Sequence, residues 1–119
     1  MTSQSSRAHE FHRLHVPGDP LVIFNAWDAG SAGAVAAAGA RAIGTGSWSV
    51  AAAHGFPDGE KLPLELAIAN LERIVRAVDL PVSIDLEAGY GARTDDVDRP
   101  VTCAVRAGAV GRNLQDGRA

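Results

Sequence analysis

One pattern recurs along this chain and restricts its fold more than any other. A short apolar run is followed by a turn built from Gly, Ser or Asp, and then by an alanine-rich or amphipathic stretch. Residues 21–24 (LVIF) read as a first buried strand, with a turn over 25–30. Ser31 caps a helix that runs through Ala38 and stops at Gly39. Residues 41–45 form a second strand, and 47–53 a short helix ended by His54-Gly55. A loop over 56–61 leads to Pro63, well placed as an early helix residue. From there Leu64, Leu66, Ala67, Leu71, Ile74, Val75 and Val78 keep helical spacing. Residues 82–87 are a third strand, Thr94-Asp95-Asp96 opens a further helix closed by Gly108, and 109–114 are a fourth strand. A lead-in helix over roughly 5–14 precedes them all. Strands alternating with helices of this length specify βα units and a parallel sheet. The expectation is one α/β domain over 1–119, with a lead-in over 1–20 and about four βα units over 21–119.

Composition supports a packed core and narrows the partners. Hydrophobic residues make up 46% and charged residues 21%, which excludes a wholly disordered chain. A formal net charge of -3 and only 5% aromatics leave neither a basic face nor a stacking platform for nucleic acid. The single cysteine, Cys103, has no internal partner and reads as a small buried hydrophobe in a reduced compartment. No stretch has the length of a membrane span, and the opening MTSQSSRAHEFHRLH has no apolar secretory region. A cytoplasmic protein with no membrane partner is expected.

Polar residues cluster just after the strands: Asp28; Thr45 and Ser47; Asp85 and Glu87; Gln115 and Asp116. The C-terminal ends of parallel strands are where ligands bind. Side chains two apart on a strand point the same way, so Asp85 and Glu87 face one side and Leu86 the helices. Two close carboxylates repel unless a cation or proton neutralises them, and hard oxygen donors suit Mg²⁺ or Mn²⁺. The plainer alternative is an exposed acidic loop or a capping carboxylate.

The segment 44–49 (GTGSWS) partly matches a dinucleotide loop but lacks the third glycine. It reads either as a cradle of backbone N–H groups and hydroxyls for an anion, or as a tight turn with a cap. Asp58 is either a mobile catalytic acid or plain turn chemistry. His9, His12 and His15 drift around a helix and do not make a metal site. Trp27 packs beside the site.

Five motifs in order and spacing then carry a specific likeness. They are residues 24–32 (FNAWDAGSA), 45–47 (TGS), 55–59 (GFPDG), 85–91 (DLEAGYG) and 113–116 (NLQD). The chain resembles the isocitrate lyase/phosphoenolpyruvate mutase superfamily, in its phosphonomutase-like branch, from about Phe11 onward. The resemblance implies the first half of a (β/α)8 TIM barrel. It implies Mg²⁺ (or Mn²⁺) held near Asp85, with Glu87 and Gln115 in supporting positions. Thr45, Gly46 and Ser47 would hold a small α-keto or 2-hydroxy carboxylic acid beside Trp27, and Asp58 and Asp28 would be loop acids of the catalytic apparatus. Members cleave or form C–C or P–C bonds through an enolate, whose charge a divalent cation and backbone donors stabilise.

Departures from the family pattern fall near the end. Gln115 stands where the family has a glutamate. Pro100 falls inside the predicted helix, at a cost of about 3 kcal/mol unless it lies in the first turn. Arg112 points at the helix layer, where an unpaired charge is costly. A full barrel takes around 250 residues, so these 119 supply a truncated half with two open strand edges and an uncovered apolar inner face. Homo-oligomerisation or pairing of half-barrels is the expected consequence. The competing readings are a Mg²⁺-dependent lyase or mutase, a catalytically inactive fragment that partners a full-length relative, and, remotely, a flavodoxin-like binding domain.

Overall fold

The computed structural model describes residues 1–116. Helix α1 (Gln4–Leu14) leads into four strands, β1 (Phe24–Ala26), β2 (Ile43–Thr45), β3 (Val82–Asp85) and β4 (Gly111–Asn113). All neighbours pair in parallel, in sheet order β1-β2-β3-β4. The intervening helices are α2 (Ala29–Ala37), α3 (Ser47–Ala53), α4 (Leu64–Ala77) and α5 (Asp98–Arg106), the last preceded by a 3-10 turn, Thr94–Val97. Each strand lies beside the next in chain order, as successive βα units require.

Alternation along the strands divides the two faces of the sheet. Val82 and Ile84 of β3 are buried, while Ser83 and Asp85 are partly exposed. Val82, Ile84 and the following Leu86 join Ile43, Leu71 and Ile74 in one core between the sheet and its helices. The opposite face carries the register row Asn25, Gly44, Ser83 and Gly111. That row is small and polar, which corrects the expectation of an apolar inner face. A Cβ on Gly111 would meet the Phe11 ring at 2.6 Å and Ser83 Oγ at 3.0 Å, so glycine lets α1 lay Phe11 against the sheet. Helix α1 is fixed at the N-terminal ends of the strands. Gln4 Nε2 donates to the Val105 and Ala109 carbonyls at 2.7 and 3.0 Å, and the buried Arg7 pairs with Asp79 at 3.2 Å.

The strands are shorter than the sequence suggests. The first is shifted furthest: the ladder engages Phe24, Asn25 and Ala26 with Ile43, Gly44 and Thr45, leaving 21–23 before the pairing begins. Helix α2 is capped by Asp28, not by Ser31. Asp28 Oδ1 accepts the Ser31 N–H at 2.7 Å, and Ser31 Oγ accepts the Asp28 N–H at 3.1 Å, a reciprocal box that satisfies two free donors.

Near the C-terminal end two expected penalties are not incurred. The acidic run 94–96 forms the 3-10 turn, and α5 starts only at Asp98. Pro100 is therefore in the first turn, where a missing N–H removes no intrahelical bond. Arg112 lies opposite Ile84 in the ladder and so on the helix face, but it is exposed rather than buried. Among the described residues no helix is long and apolar enough to cross a membrane.

Candidate functional site

The C-terminal ends of β2 and β3 converge on a small cavity of about 20 Å³, whose polar lining is Thr45, Ser47, Asn70, Asp85, Glu87 and Tyr90. Asp85, the last residue of β3, is held on three sides. Its Oδ2 accepts the Ser47 N–H at 3.3 Å, its Oδ1 accepts the Glu87 N–H at 2.9 Å, and its own N–H donates to Thr45 Oγ1 at 3.2 Å. The Ser47 amide, read from the sequence as a donor for a bound anion, here serves Asp85. Gly46 caps α3, its carbonyl accepting from Ser49 Oγ at 3.1 Å.

Glu87 faces the same cavity, though not by strand alternation. The strand ends at Asp85, and Glu87 adopts the left-handed conformation at φ 54°. Its carboxylate accepts the Gly59 N–H at 3.1 Å and the Glu60 N–H at 3.0 Å through Oε1, with Oε2 3.1 Å from the same Glu60 nitrogen. Burial pushes the Glu87 carboxyl above its ordinary range, and the charge of nearby Asp58 adds to this, against the Glu60 and Gly59 donors. Burial and the Glu87 and Glu60 charges push the Tyr90 hydroxyl up to about 12, so it stays protonated at neutral pH.

The other predicted residues stand around this centre. Asp58 is exposed on the loop beside Glu87 and does not line the cavity. Asp28 is occupied as the cap of α2, and the Ser31 N–H holds its carboxyl below the usual range. Trp27 is half-exposed, with its carbonyl accepting from Asn70 Nδ2 at 3.1 Å. Gln115 donates its backbone N–H to the Glu87 carbonyl at 2.7 Å but lines a separate groove with Arg112, Leu114 and Asp116. Sequence reasoning missed Asn70 and Glu60. A signal for Asn70 existed: a buried polar residue sits beside Leu71 and Ile74 on the apolar stripe of α4.

The donor set suits a hard cation in kind. Asp85 and Glu87 offer carboxylate oxygens and Thr45 and Ser47 hydroxyls, around a space large enough for one water-sized particle. Among the described residues no three His, Cys, Asp or Glu side chains gather closely enough to form a complete protein cage. Mg²⁺ commonly keeps several waters and needs only one or two carboxylates, so this pair fits that ion.

The family model for phosphoenolpyruvate phosphomutase matches residues 11–119. The chain belongs to this family. A candidate phosphonomutase from Burkholderia cenocepacia J2315 superposes with a TM-score of 0.92 at 57% identity, covering 95% of this chain and 46% of that one. Phosphoenolpyruvate phosphomutase from Streptomyces platensis subsp. rosaceus gives a TM-score of 0.85 at 26% identity, covering 93% and 38%. The 2-methylisocitrate lyase of Escherichia coli (strain K12) is 31% identical over 114 residues, 87% of this chain and 38% of that enzyme. The chain spans less than half the length of each of these relatives. Its three complete βα units and fourth strand correspond to the first part of the superfamily's TIM barrel, and the truncated parallel α/β barrel expected from the sequence is the architecture found.

Carboxyls inside and outside the site give opposite pH effects. Glu87 sits above its unperturbed value of 4.5, so the folded state takes up this proton first and metal-free stability rises as pH falls through the folded pKa towards 4.5. Asp28 and Asp79 sit below 3.8, so the stability they contribute is present above 3.8 and lost as pH falls through their folded values. The melting temperature of the metal-free chain is expected to rise on mild acidification and then fall. Glu87→Gln should remove the rise and keep the fall; an unchanged profile in that variant would assign the rise elsewhere.

Proposed function

We propose that this chain carries the metal- and acid-binding part of a Mg²⁺-dependent (or Mn²⁺-dependent) lyase or mutase acting on a small α-keto or 2-hydroxy carboxylic acid. The observation that supports this most is the convergence of Thr45, Ser47, Asp85 and Glu87 on one cavity at the strand ends. Asp85 would hold the cation directly and Glu87 would orient its water. When bound, such a cation polarises a keto oxygen and stabilises the negative charge that develops there. Thr45 and Ser47 would orient the substrate carboxylate beside Asp85, with Gly46 allowing close backbone approach. The Tyr90 hydroxyl, protonated at neutral pH, is available as a hydrogen-bond donor at the cavity wall. Asp58, exposed on its loop, would exchange protons with the substrate from the solvent side. The lone Cys103 is compatible with the reduced cytoplasm, which we assign as the compartment.

Calorimetric titration of Mg²⁺ with oxalate, a planar mimic of the enolate, tests this reading. Saturable binding is expected, together with its loss in Asp85→Ala while a cooperative melting transition is retained. No binding by the wild-type chain, or binding undiminished in the variant, would overturn it. One observation favours a second, non-catalytic reading: Gln115 brings neither a charge nor its side chain to the Asp85 cavity. An inactive partner of a full-length relative would give that negative titration.

A further inference from the structure

Three residues other than glycine adopt the left-handed backbone conformation among the described residues: Glu60 at φ 62°, Glu87 at φ 54° and Tyr90 at φ 58°. Such a conformation is disfavoured for bulky side chains and persists where the surroundings over-determine it. These three are wired to one another. The Glu87 carboxylate accepts the Glu60 N–H, and the Glu60 carboxylate in turn accepts the Tyr90 N–H at 2.8 Å. Tyr90 returns to the same cavity that Glu87 lines. Two loops far apart in sequence thus exchange carboxylate-to-amide bonds in both directions.

The arrangement is anchored on both sides. Phe56 and Leu62, which flank the Glu60 loop, pack on Val50 and Ala51 of α3. Behind Tyr90, a Cβ on Gly89 (φ 95°) would meet Val97 at 2.7 Å, so the turn rests directly on the segment leading into α5. Neither anchor by itself fixes the direction of the Glu87 side chain. The Glu60 loop does, because Glu87 Oε1 and Oε2 are both bound by its amides.

We infer that Glu60 is a positioning residue, whose reciprocal bonds to Glu87 and Tyr90 lock the 59–60 loop to the 87–90 turn and aim the Glu87 carboxylate into the Asp85 cavity. This deepens the metal-site reading and rests on it for its catalytic meaning, but the lock itself is built from the chain's own bonds. Glu60 would not touch the substrate. It would act through Glu87, as a carboxylate held by charge-assisted bonds holds its partner loop.

Amide hydrogen exchange on the metal-free 119-residue chain tests the lock without reference to activity. In the unaltered chain the Glu60 and Tyr90 amides should open as one unit, with matching protection. In Glu60→Gly, which tolerates the left-handed backbone but has no carboxylate, the Tyr90 and Gly59 amides should both exchange faster by about tenfold or more, the loss expected for a charge-assisted bond. Glu60→Gln, which keeps an acceptor, should restore most of the protection, and the Ile43 and Ile84 amides should be unchanged in both variants. Unequal protection of Glu60 and Tyr90 in the unaltered chain would overturn the inference, a result that stands even if a variant fails to fold. So would a glycine variant in which Gly59 keeps its protection. Mg²⁺ titration of the same samples then reads the consequence: weaker binding in Glu60→Gly and near-normal binding in Glu60→Gln. If the unaltered chain binds no Mg²⁺ while the exchange results hold, the metal reading fails and the lock survives.

Discussion

Expressed by itself, the 119-residue chain should elute as a dimer, at about twice its mass of 12.3 kDa. The sheet ends in two unpaired edges, β1 and β4, which run in the same direction. Beside β1 lies a groove of about 460 Å³ that includes Leu21, Val22 and Phe24, and Phe24 is 60% exposed. Beside β4 lies one of about 500 Å³ that includes Val101, Val105 and Val110. The first groove holds an acid, Asp19, beside Arg41, which pairs with Glu10, and the second a base, Arg112; neither Asp19 nor Arg112 has an ion-pair partner among the described residues. A two-fold axis along the strand direction would bring β4 of each copy to β1 of the other. That closes eight parallel strands and removes both edges. With a polar inner row, edges and grooves would drive the pairing, rather than a bare apolar interior. Phe24→Lys, which puts a charge on the edge, should shift the chain to monomer as read by light scattering. A monomeric wild-type chain that melts sharply would refute the pairing.

The half-barrel was legible in the sequence because its signals are local. Gly39 and Gly108 mark helix ends, and an apolar stripe interrupted at Asn70 marks α4, so element order followed directly. Strand bounds were less legible, since a strand is defined by its partner: residues 21–24 look more strand-like than Asn25-Ala26, but only the latter, with Phe24, meet β2. Asp85 was legible as a strand residue at the C-terminal side of the sheet, although the sequence ran that strand on to Glu87 and β3 ends at Asp85. Strand alternation would put Glu87 beside it only if the strand continued, whereas a left-handed residue and a loop 27 positions earlier put it there. Glu60 could not be found by spacing, because its role comes from bonds between two loops that no periodicity connects. Gln115 was assigned from family order; its backbone N–H reaches the Glu87 carbonyl beyond the end of the ladder, and the residue lines a groove other than the Asp85 cavity.

Leu71→Ala should be the most damaging single change to the fold. Leu71 has no exposed surface, and with Ile43, Ile74, Val82 and Leu86 it supplies the largest fully buried side chains of a core without a large aromatic ring at its centre. Removing such a side chain typically costs about 2–5 kcal/mol, through lost burial and the cavity left behind. A domain of this size is stable by about 5–15 kcal/mol, and open edges place this one towards the lower end. The cooperative melting transition should therefore be lost or strongly lowered. Leu66→Ala, on the same helix but 41% exposed, should change stability by no more than about 0.5 kcal/mol. The comparison bears on function because α4 carries Asn70 into the cavity one residue before Leu71. Leu71→Ala should lose Mg²⁺ binding together with its melting transition, whereas Asp85→Ala should lose binding and keep the transition. If Leu71→Ala melts like the wild type and still binds the ion, the helix-side core does not hold the site together, and the polar network at the strand ends must be self-supporting.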